Sequence, residues 1–588
     1  MKDSNNIKSY LILISGFWVH ISKKRRGKLA LIVILMFFAS FAELFSLGSV
    51  VPFLAVLVSP ERFFNREFAK PFINLFNITS PKELLMPVTV VFCITALITS
   101  VIRLWLLRIT TSLSFNIGSD LSLSIYRRTL YQSYDIHCSR NSSDIIDGIS
   151  NKTNNIIYNG LIPLLTIISS IFIIIPIVIA LIIFDPKIAF GTFIGIGLIY
   201  TLIINVTKKK LLLNGKTIAK ESINVIKSLQ EGLGGIRDVL IYGSQERYCE
   251  EYKKSDQSYR QAQGSSFYLS QNPRFIMEGL AMILLAFLAY LLVNQDDGVS
   301  KFIPILGVMA LGAQRLLPIL QQAYAAWAAI RSGEASLHGA LELLEQPLPG
   351  HANEPSISKL NFRNSIEIEQ LGFRYSQDSP FVLRNINIEI SKGSRIGIIG
   401  ETGSGKSTFL DLVIGLLQPT EGKIKVDGCQ ITENNIRDWQ SQIAYVSQSI
   451  FLTDGTIEEN IAFGVPKEKI NHDLVVEAAQ KARISSVIES WSEKYQTIVG
   501  ERGVRISGGQ IQRIGIARAL YRKADILILD EATSALDVST EQAVMSGIEE
   551  LSSELTIFII AHRLTTIKSC TSIIEIGNST IKNITNQK

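Results

Sequence analysis

The sequence is poor in charged residues and in cysteine. Charged residues account for 19% of its 588 residues, below the roughly 25% that is usual in soluble domains. The five cysteines lie far apart with no C-x-x-C pair, a spacing that argues against both a metal site and a disulfide framework. The formal net charge of +6 is too small to indicate nucleic-acid binding. The apolar content of 47% excludes a disordered chain.

The apolar residues are concentrated in the first half of the chain. Six runs are long enough to cross a bilayer as helices, which takes about 20 residues, and they occupy 29–58, 86–107, 161–184, 188–206, 275–293 and 302–320. Residues 5–20 are typical of an interfacial helix that holds Phe17 and Trp18 at headgroup level. We predict an N-terminal interfacial segment (1–28), a membrane domain (29–345), a linker (346–362) and a soluble domain (363–588).

The basic residues near the span ends predict the orientation of the chain in the membrane. The run KKRRGK at 23–28 precedes the first span, and three lysines at 208–210 follow the fourth. The turn between the third and fourth spans, at 185–187, carries a single lysine. Because lysine and arginine favour the cytoplasmic side, we expect a multi-pass protein with both termini and the soluble domain in the cytoplasm.

A few charged residues lie within the predicted spans or at their ends, where charge is costly. They are Glu43, Arg103, Arg274, Glu278 and Arg315. One interpretation is structural, with interhelical ion pairs or side chains that reach the interface. The other is a cationic cavity for an anionic head group. The sequence leaves both open, although several arginines in different spans strengthen the second.

The soluble domain contains a phosphate-binding loop in its expected context. Short β-branched runs alternate with helical stretches after the linker, which predicts an α/β domain with a largely parallel sheet. The loop joins a strand at 395–399 to a helix from about Thr408, and it consists of Gly400, Glu401, Thr402, Gly403, Ser404, Gly405, Lys406 and Ser407. Backbone N–H groups of such a loop wrap phosphates, while the lysine reaches the β- and γ-phosphates and the serine binds Mg²⁺.

A second segment supplies acidic groups for the same chemistry. Residues 526–530 form an apolar strand that ends in Asp530, and Glu531 follows. Acids at the carboxyl end of a parallel strand lie where such sheets bind ligands. Asp530 is therefore predicted to hold Mg²⁺, and Glu531 to polarise the attacking water.

Together with these segments, further motifs make the chain resemble the ATP-binding cassette (ABC) family. Ile506 precedes Ser507, Gly508, Gly509 and Gln510 in a pentapeptide similar to the family's signature motif, with isoleucine where leucine is commoner. The other matches are Tyr375 (adenine-stacking aromatic), Gln448 (Q-loop), 534–537 with Asp537 (D-loop) and His562 (switch histidine). The order of the motifs is that of the family, and the resemblance covers the whole chain.

The resemblance implies an exporter-type fold, with six transmembrane helices fused to an α/β P-loop NTPase domain. It implies ATP and Mg²⁺ as cofactors, Glu531, His562 and Gln448 as catalytic residues, and Ser407, Gln448 and Asp530 around the metal. Each ATP would lie between the P-loop of one cassette and residues 507–510 of another. A half-transporter is therefore expected, working as a homodimer or with a related half-transporter in a bacterial inner membrane.

The membrane domain more weakly resembles bacterial flippases for lipid-linked oligosaccharides. The similarity lies at 43–53, at 273–279 and at 315–318. Arg274 and Arg315 of these segments, together with Arg103 of the second span, would suit a pyrophosphate. Where that group tends to carry another arginine, this chain has Gln321 and Gln322. A lipid A or phospholipid flippase and a peptide or drug exporter are the alternatives. An ATP-gated channel or regulatory membrane protein is a further class, which intact catalytic residues disfavour.

Overall fold

The computed structural model of the protein describes residues 13–58, 60–65, 73–74, 78–184, 186–293, 299–353, 360–500, 503–549, 555–560, 567 and 570–586. The chain divides into two compact units. The first comprises Met1–Gln132 and Arg140–Leu348, and the second comprises Ser133–Ser139 and Pro349–Lys588. The division after Leu348 falls within the predicted linker.

The described part of the first unit is built on six long helices. They are Lys23–Val58, Leu85–Leu130, Ile162–Phe184, Pro186–Gly234, Gln245–Val293 and Val299–Leu344. Each contains all or nearly all of one predicted apolar run. Several are far longer than the run inside them: Leu85–Leu130 has 46 residues, which at 1.5 Å per residue is more than twice the roughly 30 Å of a bilayer's hydrocarbon core.

Within the described residues, three stretches are long and apolar enough to span a membrane, namely Lys23–Leu57, Pro81–Leu130 and Ser142–Ile179. Their apolar side chains are mostly not buried by the protein. In the most apolar window of Pro81–Leu130, only 11% of the residues are buried. A helix whose apolar surface is mostly exposed is typical of contact with lipid, because exposing that surface to water would be unfavourable.

Short elements complete the first unit. A helix at 13–20 precedes the first long helix; its Phe17 packs on a buried apolar cluster of the unit, and its partly exposed Trp18 lies 5.5 Å from the Arg26 guanidinium. The remaining short helices are Pro60–Phe64, Pro81–Leu84, Ser142–Asp147, Thr153–Asn155 and Ile236–Ile241, with π-helical turns at Gly148–Lys152 and Ile156–Leu161. The short helix Tyr134–Ser139 belongs to the second unit.

The described strands of the second unit form two sheets. In chain order they are β1 (Ser365–Phe373), β2 (Leu383–Ser391), β3 (Arg395–Ile399), β4 (Glu421–Val426), β5 (Cys429–Gln430), β6 (Ile443–Val446), β7 (Ile526–Asp530), β8 (Thr556–Ile560), β9 (Ser572–Gly577) and β10 (Thr580–Asn586). The antiparallel sheet has the order β2-β1-β4-β5, and the larger sheet has the order β10-β9-β3-β8-β7-β6. All pairs in the larger sheet are parallel except β9 with β10.

Helices pack around these sheets to form the core of the second unit. They are Lys406–Ile414, Ile436–Gln440, Ile457–Ile461, His472–Lys481, Ser485–Glu489, Gly508–Tyr521 and Val538–Glu549, with 3-10 turns at Gly350–Asn353, Lys467–Lys469 and Lys494–Gln496. Every residue of β7 and β8 is buried, as expected for central parallel strands covered on both faces. The fully buried Trp439 donates its indole N–H to the carbonyl of Val413 at 2.8 Å.

Candidate functional site

The P-loop, Asp530, Glu531 and Gln448 lie together at the carboxyl ends of the parallel strands of the larger sheet. Strand β8 lies between β3, which leads into the P-loop, and β7, which ends at Asp530. The register places Ile560, the last residue of β8, beside Ile398 of β3 and beside Asp530. The carboxyl ends of these parallel strands thus bring two distant segments of sequence together, where open α/β sheets bind their ligands.

The P-loop is a compact turn whose first position, Gly400, accepts only glycine. Gly400 has φ +150°, and a Cβ placed there would lie 2.2 Å from the carbonyl oxygen of Ile576. Gly403 and Gly405 also have left-handed φ values, of +82° and +99°. The helix begins at Lys406, within the motif and two residues earlier than the sequence predicts.

The lysine of the loop is held against the loop backbone. Its side chain is only 8% exposed, and its ammonium donates to the carbonyl oxygens of Gly400 at 2.8 Å and Glu401 at 2.9 Å. The next residue, Ser407, is exposed on the first turn of the helix, and Glu401 and Thr402 lie on the exposed part of the loop. A concentrated positive charge therefore lies at a helix N-terminus, which itself favours anions.

The loop also contains a polar atom for which the described residues provide no hydrogen-bond partner. The hydroxyl of Ser404 is buried and makes no hydrogen bond to any described residue. Such atoms are rare in folded proteins and call for a ligand or water as partner. Together with the left-handed glycines and Lys406, this hydroxyl fits the loop to a phosphate chain.

The metal-binding carboxylate predicted from the sequence lies next to two groups that the sequence did not single out. The phenol hydroxyl of Tyr445, on β6, donates to Oδ2 of Asp530 at 3.3 Å. Asp411, on the P-loop helix, has its pKa raised to about 6 by burial and by the negative charge of Asp530. Burial also raises the pKa of Asp530, against the opposing effect of the hydrogen bond from Tyr445. Closely spaced, partly buried carboxyls suit a site that binds a divalent cation.

Gln448 of the predicted Q-loop is in direct contact with Glu531, the predicted catalytic base. The amide Nε2 of Gln448 donates to Oε2 of Glu531 at 2.7 Å. Glu531 has φ +50°, a conformation that is uncommon for residues other than glycine and costs about 1 kcal/mol or more. Its backbone N–H donates to the carbonyl of Ile560 at 3.0 Å. The contact places a carboxylate beside the predicted metal ligands, where it can accept a proton from water.

The signature segment forms the start of the helix Gly508–Tyr521. Ser507 caps the helix: its hydroxyl accepts from the backbone N–H of Gln510 at 3.3 Å, and the Gln510 side chain accepts from the Ser507 backbone N–H at 2.8 Å. Ser507 and Gly508 are exposed, and a Cβ on Gly509 would come within 3.3 Å of the Ala535 carbonyl oxygen. The result is an exposed helix N-terminus with serine and glycine at its tip, able to accept an anionic group.

A glutamine that the sequence did not single out connects this helix with the D-loop. Gln512 is 6% exposed; its amide donates to the Ser534 hydroxyl at 2.9 Å and accepts from the Ala535 backbone N–H at 2.9 Å. The D-loop ends at Asp537, which precedes the helix Val538–Glu549. Hydrogen bonds from Ser539 and from Thr540 hold the pKa of Asp537 well below its usual range.

Of two further predicted residues, the structure describes Tyr375 but not His562. The ring of Tyr375 is largely exposed, and its hydroxyl lies 3.1 Å from that of Thr408 on the P-loop helix. The tyrosine is therefore beside the phosphate loop, in a position open to a flat ligand. The predicted switch histidine, His562, lies outside the described residues, although β8 ends two residues before it.

In the first unit, the charged residues of the predicted spans form ion pairs. Glu43 is 2% exposed and pairs with both Arg315 and Arg103, the latter at 3.6 Å. A third pair, between Arg274 and Glu278, is a one-turn contact at 2.9 Å on a single helix. These contacts agree with the structural interpretation for Arg274. At Glu43 one carboxylate faces two guanidinium groups, so that cluster has a net positive charge.

Comparisons with known proteins identify both units. The family described as ABC transporter transmembrane region matches residues 29–300, and the family described as ABC transporter matches residues 383–534. An ATP-dependent lipid A-core flippase from Alkalilimnicola ehrlichii is 30% identical over 388 residues, covering 65% of this chain and 64% of that protein. The leukotoxin export ATP-binding protein LtxB from Aggregatibacter actinomycetemcomitans is 36% identical over 307 residues, covering 52% of this chain and 42% of that protein.

A solved structure shares the fold over nearly the full length. The structure of a bacterial Atm1-family ABC exporter with ATP bound matches with a TM-score of 0.76 at 22% identity, covering 96% of this chain and 95% of that one. A helical transmembrane domain fused to a P-loop cassette is the exporter-type ABC fold. The chain belongs to the ABC transporter family. It spans less than two thirds of the length of the two relatives named above.

Proposed function

We propose that the protein hydrolyses ATP and uses the energy to move an amphiphilic substrate across a membrane, starting from its cytoplasmic side. The observation that carries the proposal is the convergence of the P-loop, Asp530, Glu531 and Gln448 at one end of the sheet, in a chain that also has exposed apolar helices long enough to span a membrane. We place it in a bacterial inner membrane, with both termini and the cassette cytoplasmic.

Different residues of the chain bind the nucleotide, hold the metal ion and activate the attacking water. Backbone N–H groups of the P-loop and the Lys406 ammonium bind the phosphates of ATP, and Tyr375 packs against the adenine. Ser407, Gln448 and Asp530 would hold Mg²⁺, which when bound neutralises negative charge on the phosphate oxygens. Glu531 orients the attacking water and accepts its proton, and His562 assists at the γ-phosphate.

The complete site requires a second cassette. Ser507 and Gly508 are exposed at a helix N-terminus, an arrangement that favours an anionic group brought from outside the chain. We propose a homodimer in which ATP lies between the P-loop of one copy and the signature segment of the other. A related half-transporter could replace the second copy.

The substrate that we propose is a lipid-linked oligosaccharide carrying a pyrophosphate. The support is the net positive cluster of Glu43 with Arg103 and Arg315, in which the Arg315 side chain is 31% exposed. Arginine binds phosphate oxygens through paired, charge-assisted hydrogen bonds. A lipid A flippase is the second candidate, because a relative with that name is 30% identical over 65% of this chain.

Replacing Arg315 with Ala tests the role of this cluster. We expect ATP hydrolysis stimulated by the pyrophosphate lipid to fall about 10-fold or more, because a charge-assisted hydrogen bond contributes about 1.5–3 kcal/mol, while hydrolysis without lipid changes less. The measurement is ATPase activity in nanodiscs with and without the lipid. Arg260→Ala is the control, since Arg260 is an exposed residue paired within one helix turn to Asp256. An equal fall in both activities would make Arg315 structural.

A further inference from the structure

The position of Tyr445, next to the predicted metal ligand Asp530, follows from the register between strands β6 and β7. Tyr445 on β6 pairs with Ile528 of β7, and Val446 pairs with Leu529. The two parallel strands therefore carry the phenol ring to the end of β7, where its hydroxyl lies 3.3 Å from Oδ2 of Asp530. The contact joins residues 85 positions apart in the sequence.

We propose that Tyr445 is a positioning residue that holds the Asp530 carboxylate in the orientation required to bind Mg²⁺ with ATP. The proposal rests on the proposed function, since it concerns the same nucleotide site. A carboxylate has about four lone-pair positions on its two oxygens. Asp530 can therefore accept the phenol hydrogen bond through Oδ2 and still ligate a cation.

Asp530 needs such a support for two reasons. The terminal torsion of aspartate is broad, so the side chain alone does not fix the carboxylate plane. A second carboxyl, that of Asp411, is close enough on the P-loop helix for the two negative charges to oppose each other. A single neutral donor holds one oxygen in place and adds no charge.

The same strand also leads to the predicted Q-loop. Gln448 follows the end of β6 by two residues and contacts Glu531, the neighbour of Asp530. The end of β6 therefore contacts two consecutive acids through two side chains: the phenol holds Asp530, and the amide holds Glu531. A loss of the phenol hydroxyl should affect the metal without removing the contact between Gln448 and Glu531.

The test is a comparison of metal affinity in two Tyr→Phe variants. Both are made in a Glu531→Gln background, so that nucleotide stays bound without turnover. Tyr445→Phe removes the hydroxyl at Asp530. Tyr495→Phe is the matched control, because the buried Tyr495 hydroxyl makes no hydrogen bond within the described residues. The affinity of the ATP-bound protein for Mn²⁺ is measured by electron paramagnetic resonance, and ATP affinity is measured separately with EDTA.

We expect Tyr445→Phe to weaken Mn²⁺ binding about 3- to 10-fold, the effect of one lost hydrogen bond, with ATP affinity in EDTA and the melting temperature unchanged. Tyr495→Phe should bind Mn²⁺ as the parent does. Parental Mn²⁺ affinity in Tyr445→Phe would overturn the inference while leaving the proposed function intact. A parent protein that binds no Mn²⁺ with ATP would instead overturn the proposed function.

Discussion

Replacing Glu531 with Gln is expected to lower the rate of ATP hydrolysis by about 10²- to 10⁴-fold, the usual contribution of a general base, while ATP binding persists. The substitution keeps the shape of the side chain and removes the negative charge that accepts the proton from water. Its position is secured by the Gln448 amide at 2.7 Å and by its own backbone N–H on Ile560. The variant should therefore retain the fold of the site.

The measurement is phosphate release under saturating Mg²⁺ and ATP, together with nucleotide binding by the same preparation. Glu477→Gln is the control, because Glu477 is a half-exposed acid that pairs with Lys481 on a helix that contributes none of the predicted site residues. That variant should hydrolyse ATP as the parent does. Hydrolysis by Glu531→Gln at a near-parental rate would contradict the assignment of Glu531 as the base.

Replacing Lys406 with Ala is expected to have the opposite pattern, with loss of binding itself. The Lys406 ammonium is the charge at the centre of the P-loop, held within 2.9 Å of two loop carbonyls. Charge-assisted hydrogen bonds contribute about 1.5–3 kcal/mol each, so removing two phosphate contacts predicts a fall in ATP affinity of about 10²-fold or more. Hydrolysis then falls at ordinary ATP concentrations because the nucleotide is not bound.

Equilibrium binding of a fluorescent ATP analogue measures the effect directly. Lys481→Ala is a matched control, since Lys481 is a partly exposed lysine in a one-turn pair with Glu477, and such pairs contribute only about 0.3–0.5 kcal/mol. If Lys406→Ala binds the analogue as tightly as the parent, the P-loop is not the phosphate site. The contrast between the two main variants separates binding from chemistry in a single cassette.

The local backbone of the proposed nucleotide site was largely predictable because its motifs are contiguous. Residues 400–407 and 507–510 are each a loop joined to a helix, so the local sequence specifies both the backbone shape and the ligand groups. The contacts between motifs were not predictable. Tyr445 meets Asp530 only through the register of β6 on β7, and Gln512 reaches the D-loop only through packing of the helix Gly508–Tyr521.

In the first unit, too, the local sequence pattern predicted the helices but not the contacts between them. Hydropathy located the apolar runs, and the helix Leu85–Leu130 continues well past the run 86–107, since its later residues are more polar but include no proline that would end the helix. The pairing of Glu43 with Arg315 joins residues 272 positions apart. The sequence predicted both charges within the spans and left open whether they pair, since nothing local specifies which helices meet.

Flipping of a fluorescent lipid in proteoliposomes tests most directly whether the protein is an ATP-driven flippase for a phosphate-bearing glycolipid. The purified protein is reconstituted with a lipid-linked pyrophosphate oligosaccharide, with lipid A or with a plain phospholipid, each labelled in turn. We predict flipping that requires ATP and Mg²⁺, is abolished in Glu531→Gln, and is fastest for the pyrophosphate lipid. Equal rates for the glycolipids and the phospholipid, or flipping that continues without ATP, would contradict the proposed function.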